Sequence, residues 1–258
     1  MPQILTGGLR RLWFRRPRPN PDATVRLVCF PHGGGGASAY HRWADHMPAT
    51  VELLAVQYPG HEDRVLERCV TDMDTLVHRV CHGLDALLDR RLALFGHSMG
   101  AAVAYEVAKR LEAGARRSAD WLFVSGLAAP HRRPPDGLDL DDDESLIAGV
   151  RGLGGTDELV LEDRELRDLV LDPLRVDSRL IEEYRACVRV GPRLRAPIAA
   201  FIGDADDRVS TAQAEAWGDL TAGGFSLRVF PGGHFYLLEH REALLAELTS
   251  RLPDGRPE

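Results

Sequence analysis

The chain has 258 residues, 44% of them hydrophobic and 28% charged, with a formal net charge of −7. That is enough for one α/β domain with a full core or for two small ones, and the acidic balance argues against nucleic acid as the main partner, since such affinity comes largely from neutralising phosphates. No run of about 18 apolar residues exists to span a membrane, and Arg10, Arg11, Arg15, Arg16 and Arg18 interrupt any signal-peptide core.

In chain order, residues 1–24 read as a basic N-terminal arm, mobile, with Trp13 and Phe14 among the arginines. Residues 25–30 make the first strand, which runs into Pro31-His32-Gly33-Gly34-Gly35-Gly36-Ala37-Ser38. A Walker loop would end in Gly-Lys-Ser/Thr, and a dinucleotide fingerprint would space its glycines; neither pattern is present. His-Gly-Gly-Gly matches instead the loop that supplies an oxyanion-hole amide in α/β-hydrolases. Residues 40–47 read as a helix ending before Pro48, and 51–58 as a strand stopped by Pro59-Gly60. Residues 71–88 carry apolar side chains at helical spacing.

Residues 92–95 are a short buried strand, and an Ala-rich helix opens at Ala101. Between them stands Gly96-His97-Ser98-Met99-Gly100, a G-x-S-x-G elbow in its strand–turn–helix context. A strand that reverses sharply into a helix crowds both sides of the turn, so the flanking residues must lack side chains. Ser98 stands exposed at the tip, and the Met99 amide lies at a helix N-terminus, where negative charge is favoured.

Further strands are expected at 121–127, 198–203 and 227–230, and a closing helix at 242–252. Strands alternating with helices predict an α/β fold, a mostly parallel sheet with helices on both faces. Residues 128–197 break the rhythm. They hold an acidic stretch at 139–144, then helical patterns at 144–150, 163–171 and 173–188, which predict a helical insertion on the parent sheet, either a lid or a structural subdomain.

A serine hydroxyl needs a base within hydrogen-bond reach and a group to orient that base. For an elbow serine the chain order is Ser, then acid, then His. Of the later histidines, His131 lies in the insertion and His240 on a surface helix, whereas His234 follows the last strand in Pro231-Gly232-Gly233-His234-Phe235. His234 is the expected base. Three carboxylates, Asp204, Asp206 and Asp207, compete for the acid in the turn after the 198–203 strand. Cys29, Cys69, Cys81 and Cys187 have no metal or disulfide spacing, which points to a reducing, cytoplasmic setting.

Phe30-Pro31-His32-Gly33-Gly34-Gly35, Gln57-Tyr58-Pro59-Gly60, Gly96-His97-Ser98-Met99-Gly100, Leu153-Gly154-Gly155-Thr156-Asp157 and Gly232-Gly233-His234-Phe235 occur in an order that resembles the type II thioesterases. These are α/β-hydrolases that accompany polyketide and nonribosomal peptide synthetases. The resemblance spans about residues 25–252, leaving 253–258 as a tail. It implies Ser98 as nucleophile, Asp206 as acid, His234 as base, Gly33 and Met99 as oxyanion donors, and residues 128–197 as the lid. It also implies hydrolysis of acyl thioesters from the phosphopantetheine arm of acyl or peptidyl carrier proteins, clearing stalled or aberrant acyl groups; a monomer is expected. No cofactor or metal is implied, phosphopantetheine being carried by the partner. A chain-releasing thioesterase and a small-molecule carboxylesterase are the alternatives. The sequence departs from the family at Gly33, where alanine is usual, and at Leu127-Ala128-Ala129, where a pair of arginines often stands.

Overall fold

Strands that are apolar along their whole length need cover on both faces, and the sequence places helices between them to provide it. In the computed structural model, which describes residues 12–114, 117–135, 137, 139–154, 163–188 and 191–252, they form a seven-stranded sheet of order β1-β3-β2-β4-β5-β6-β7. The strands are β1 (Phe14–Arg15), β2 (Val25–Phe30), β3 (Val51–Val56), β4 (Arg91–His97), β5 (Trp121–Ser125), β6 (Ile198–Gly203) and β7 (Phe225–Phe230). Strands β2 to β7 pair in parallel, and β1 lies antiparallel on β3. The helices are α1 (Met73–Leu84), α2 (Met99–Ala113), α3 (Asp143–Leu153), α4 (Arg164–Cys187), α5 (Thr211–Glu215), α6 (Tyr236–Glu239) and α7 (Arg241–Arg251).

Alternate residues of each strand feed opposite layers. On one face Val28, Phe30, Leu54 and Leu94 pack with Leu76 and Val80 of α1 and Val107 of α2. On the other, Leu27, Cys29, Leu53 and Phe95 meet Leu244 and Leu248 of α7 and Tyr40 and Trp43 of the 3-10 helix Ala37–His46. Where a helix was expected at 40–47 the turn is thus tighter and earlier. The expected stripe at 71–88 divides into α1, capped by the Asp72 side chain on the Thr75 amide (2.8 Å), and a short 3-10 turn. The short helices α5 and α6 were not anticipated.

Two departures have clear physical causes. The segment read as a mobile arm contributes β1 to the sheet, and Trp13 and Phe14 are only 3% exposed. Two aromatic burials, each worth about 1.5–3 kcal/mol, outweigh the charge of their neighbours. The arginines find acids, Arg15 on Asp63 (2.8 Å) and Arg16 on the buried Glu52, while Arg64 stacks over the Trp13 ring at 4.9 Å. The second departure is α4, a single 24-residue helix through Pro173, where two helices were expected. Proline removes one helical hydrogen bond, but Leu171 before it and Leu180 and Ile181 well after it are all buried, and that packing holds the axis together.

The two ends of the insertion behave differently. Leu180 and Ile181 belong to the main core, and Tyr184 donates to Glu106 of α2 (2.7 Å). Leu146 and Ile147 of α3 form a separate small cluster with Leu171, which Leu140 and Leu174 abut. Residues 1–11, 155–157 of the Leu153–Asp157 motif, and 253–258 lie outside the described residues.

Candidate active site

Ser98, Asp206, His234 and the glycine loop all follow the carboxyl ends of parallel strands, where such sheets open a crevice. Ser98 joins β4 to α2 with φ 53° and ψ −126°, a conformation that costs a non-glycine residue about 1–3 kcal/mol. It is held by the Ser98 amide donating to Ser125 O (2.8 Å) and by the Ala101 amide donating to Ser98 O (2.9 Å). The flanking glycines are dictated by contact. A Cβ at Gly96 would sit 2.1 Å from Gly100 O, and one at Gly100 would sit 2.1 Å from Phe30 O at the end of β2. Elbow, helix and neighbouring strand therefore touch backbone to backbone.

The three carboxylates of the β6 turn separate by their partners. Asp206, with its side chain fully buried, accepts from His234 Nδ1 (2.9 Å) through Oδ2 and from the Arg208 amide (3.0 Å) through Oδ1. Asp204 accepts instead from the Gly232 amide (2.9 Å), so it fixes the loop that carries His234 rather than the ring. Asp207 is exposed beside Arg208. Among the histidines, His131 pairs with Asp219 (3.2 Å) away from the site, and His240 lies between α6 and α7 against Phe230.

His234 faces a group of rings that sequence reasoning did not assemble. The His97 and His234 centroids are 4.8 Å apart, and Phe235 lies 5.2 Å from His97 and 4.9 Å from His32. Burial, with His234 and His32 facing it, holds the His97 pKa well below the usual imidazole value. His32 is lowered to about 4, again chiefly by burial, with His234 and His61 adding to it. Both rings are therefore neutral near pH 7 and set no fixed positive charge against His234. His97 Nδ1 is 2.9 Å from Ser125 Oγ, which is 2.7 Å from the Tyr236 hydroxyl, so a buried polar chain orients the ring.

The glycine loop after β2 is scaffolded by the segment after β3, which explains the Gln57–Gly60 motif physically. The Gln57 side chain accepts from the Ala37 amide and donates to His61 O, both at 2.9 Å. Tyr40 and Tyr58 donate to Phe30 O (2.7 Å) and Pro31 O (3.4 Å), and Glu62 accepts from the Ser38 amide (3.2 Å). From the insertion, Asp177 accepts from the Gly34 amide (2.8 Å). Gly34 has φ +74°, and a Cβ there would press to 3.1 Å on Leu174 Cβ. Asp177 went unnoticed in the sequence because an acid in an amphipathic helix reads as solvent-facing.

These parts enclose a cavity of about 110 Å³ whose wall includes Gly33, Ser98, Met99 and His234. Leu146 and Val150 of α3 and Leu174 and Ile181 of α4 close its far side. Met99 opens α2, so its amide has no carbonyl four residues back to bond. Among the described residues no group of three or more His, Cys, Asp or Glu is placed to hold a metal, and no helix is long and apolar enough to cross a membrane.

The thioesterase domain family model matches residues 25–252. Thioesterase PikA5 of Streptomyces venezuelae is 39% identical over 252 residues, covering 95% of this chain and 89% of that protein. The type II thioesterase BorB from the borrelidin biosynthetic cluster superimposes with a TM-score of 0.86 at 43% identity, over 94% of this chain and 98% of BorB. YbtT, a type II thioesterase from the yersiniabactin pathway, superimposes at 0.83 with 29% identity, over 94% and 99%.

Proposed function

The chain belongs to the thioesterase domain family, and from that premise we propose that it removes acyl groups from the phosphopantetheine arm of carrier proteins in a polyketide or nonribosomal peptide pathway. Its reaction is thioester hydrolysis by a serine hydrolase. Ser98 Oγ attacks the thioester carbonyl while His234 Nε2 takes its proton. The developing oxyanion is met by the amides of Gly33 and Met99. As the tetrahedral intermediate collapses, the C–S bond breaks and the imidazolium returns its proton to the leaving thiolate. Water then attacks the acyl-Ser98 ester with His234 again as base, releasing the carboxylic acid and freeing Ser98. Asp206 holds the Nδ1–H tautomer and stabilises the imidazolium without taking the proton.

The observation that carries this reading is the buried 2.9 Å His234–Asp206 pair, opening onto the cavity that also holds the strained Ser98. The cavity, walled by Ser98 and by apolar side chains of α3 and α4, is the place for the acyl group. The insertion serves as a lid, its α3 end free to move and the C-terminal half of α4 anchored in the core. The partner is a carrier protein, and the enzyme works as a cytoplasmic monomer without a cofactor of its own.

The test is Ser98→Ala. The variant should fold normally, lose hydrolysis of acetyl- and propionyl-loaded carrier protein, and fail to react with a fluorophosphonate probe that labels the wild type. Undiminished thioesterase activity in Ser98→Ala would overturn the mechanism.

A further inference from the structure

The mechanism above does not use Asp177 or His61, yet they form a buried ionisable pair at the wall of the catalytic cavity. Asp177 lies in α4 and His61 follows β3; their side chains are 5% and 2% exposed. His61 Nδ1 is 3.0 Å from Pro59 O, and Nε2 is 2.9 Å from Asp177 Oδ2. A carbonyl oxygen can only accept, so Nδ1 carries a hydrogen. The carboxylate oxygen facing Nε2 accepts as well, so a second proton must lie between Nε2 and Oδ2. Without it, two acceptors would face one another in a buried site, an arrangement that costs more than an ordinary lost hydrogen bond.

Asp177 Oδ2 also accepts from the Gly34 amide at 2.8 Å. Gly34 adjoins Gly33, the proposed oxyanion donor, and Leu174, one turn before Asp177, packs on Gly34. One oxygen of the insertion thus joins α4, the glycine loop and the β3 loop. The other groups facing the pair bring no further positive charge. His32 is held neutral, burial and the Asp177 charge keep the Tyr58 hydroxyl protonated, and burial does the same for the Cys69 thiol. Glu62, the next residue to His61, adds negative charge, and Asp172 lies farther along α4.

We propose that Asp177 is a positioning residue: through the proton it shares with His61 it clasps the lid helix to the glycine loop, so that the oxyanion amide of Gly33 is in place only when the lid is seated and the clasp is protonated. This rests on the thioesterase reading for its catalytic consequence but not for its existence as a contact. The direction of its pH dependence follows. Burial lowers the His61 pKa, but the Asp177 hydrogen bond and charge and the Pro59 carbonyl raise it further, leaving it above 6.5. A group raised in the folded state holds its contact at low pH and loses it as pH rises through the folded value. The clasp is therefore closed below pH 6.5 and opens on the alkaline side.

The experiment compares Asp177→Ala and Asp177→Asn with the wild type by two readouts. The first is kcat and KM against pH, on acetyl-loaded carrier protein and on p-nitrophenyl acetate. Asp177→Ala should lower kcat at least tenfold on both substrates at pH 6.5, with KM changed less than threefold. Asp177→Asn should lose less than Asp177→Ala, because its amide oxygen, seated where Oδ2 lies, can still accept from both the Gly34 amide and a protonated Nε2. Without the carboxylate charge that helps hold the His61 proton, its alkaline fall attributed to the clasp should move to lower pH than in the wild type. The second readout is hydrogen exchange over residues 31–36, which involves no turnover. Protection there should be lost in Asp177→Ala at every pH, and lost from Asp177→Asn at a lower pH than from the wild type. Wild-type protection in Asp177→Ala, or an unchanged alkaline limb in Asp177→Asn, overturns the clasp. Loss of carrier hydrolysis as an activity, with the exchange pattern intact, would remove the thioesterase reading and leave the clasp standing.

Discussion

Replacing Asp206 by Asn tests the acid through hydrogen-bond direction alone. Asp206 Oδ1 accepts from the Arg208 amide at 3.0 Å, and Oδ2 accepts from His234 Nδ1 at 2.9 Å. In Asp206→Asn the Arg208 N–H can face only the amide oxygen, because an NH2 there would set donor against donor. The NH2 must then point at Nδ1, which has to become an acceptor. The ring proton moves to Nε2, the nitrogen that must receive the Ser98 proton. Side-chain volume hardly changes, so the loss is one of tautomer and not of packing. In a serine triad a change of this kind costs about 10⁴ in kcat, or ~5.5 kcal/mol of transition-state stabilisation. Asp204→Asn is the control. Its oxygen keeps the Gly232 amide, so kcat should stay within about threefold. Steady-state hydrolysis of an acyl-loaded carrier protein, together with stopped-flow acylation by p-nitrophenyl acetate, measures both variants. An Asp206→Asn enzyme keeping more than about a tenth of wild-type kcat, or an equal loss in Asp204→Asn, refutes the reasoning.

Two further outcomes follow from packing and from buried histidines. Gly100→Ala would set a Cβ 2.1 Å from Phe30 O and 2.6 Å from Pro31 O, both backbone atoms that cannot rotate away; urea melting should show a loss of about 3 kcal/mol or more, and a wild-type midpoint would contradict the close approach. His97 and His32 are held neutral in the folded state while the unfolded chain takes up protons below pH 6.5. Stability should therefore fall as pH drops from 6.5 toward 5, and urea midpoints that stay flat across that interval would be inconsistent with it.

The parts of this molecule that were legible in the sequence are those decided over a few neighbouring residues. Gly96 announces the elbow because the clash it avoids is with the Gly100 backbone four positions away, although the clash that Gly100 itself avoids is with Phe30 on another strand. The buried strands at 25–30 and 198–203 emerge at their expected bounds for the same reason. What resisted reading is decided by residues far apart in the chain. Asp204 and Asp206 are chemically alike in sequence; the Gly232 amide and the His234 ring, both on another loop, tell them apart. The two-residue strand β1 carries no periodicity, and its burial depends on α1, where a Cβ at Gly83 would lie 3.1 Å from Phe14. Pro173 breaks a helix on propensity alone, and only tertiary packing on both sides of it restores the axis. The His97–Ser125–Tyr236 chain joins three elements and has no sequence signature at all.

The antiparallel strand at the start of the chain bears on how the protein survives in solution. β3 would otherwise be the margin of the sheet, with a row of unpaired N–H and C=O groups and with Leu54 and Val56 bared of the Trp13 and Phe14 that share their cluster. Such a margin is a template for strand-to-strand docking of a second molecule. The Trp13 carbonyl accepts from the Gln57 amide at 2.8 Å, so the plug is hydrogen-bonded as well as greasy. A version of the chain begun at residue 25, where the family match begins, would keep every residue of the proposed machinery and still expose an adhesive flank. The two residues of β1 thus act as a guard on the sheet, and trimming them is expected to turn a catalyst into an aggregate.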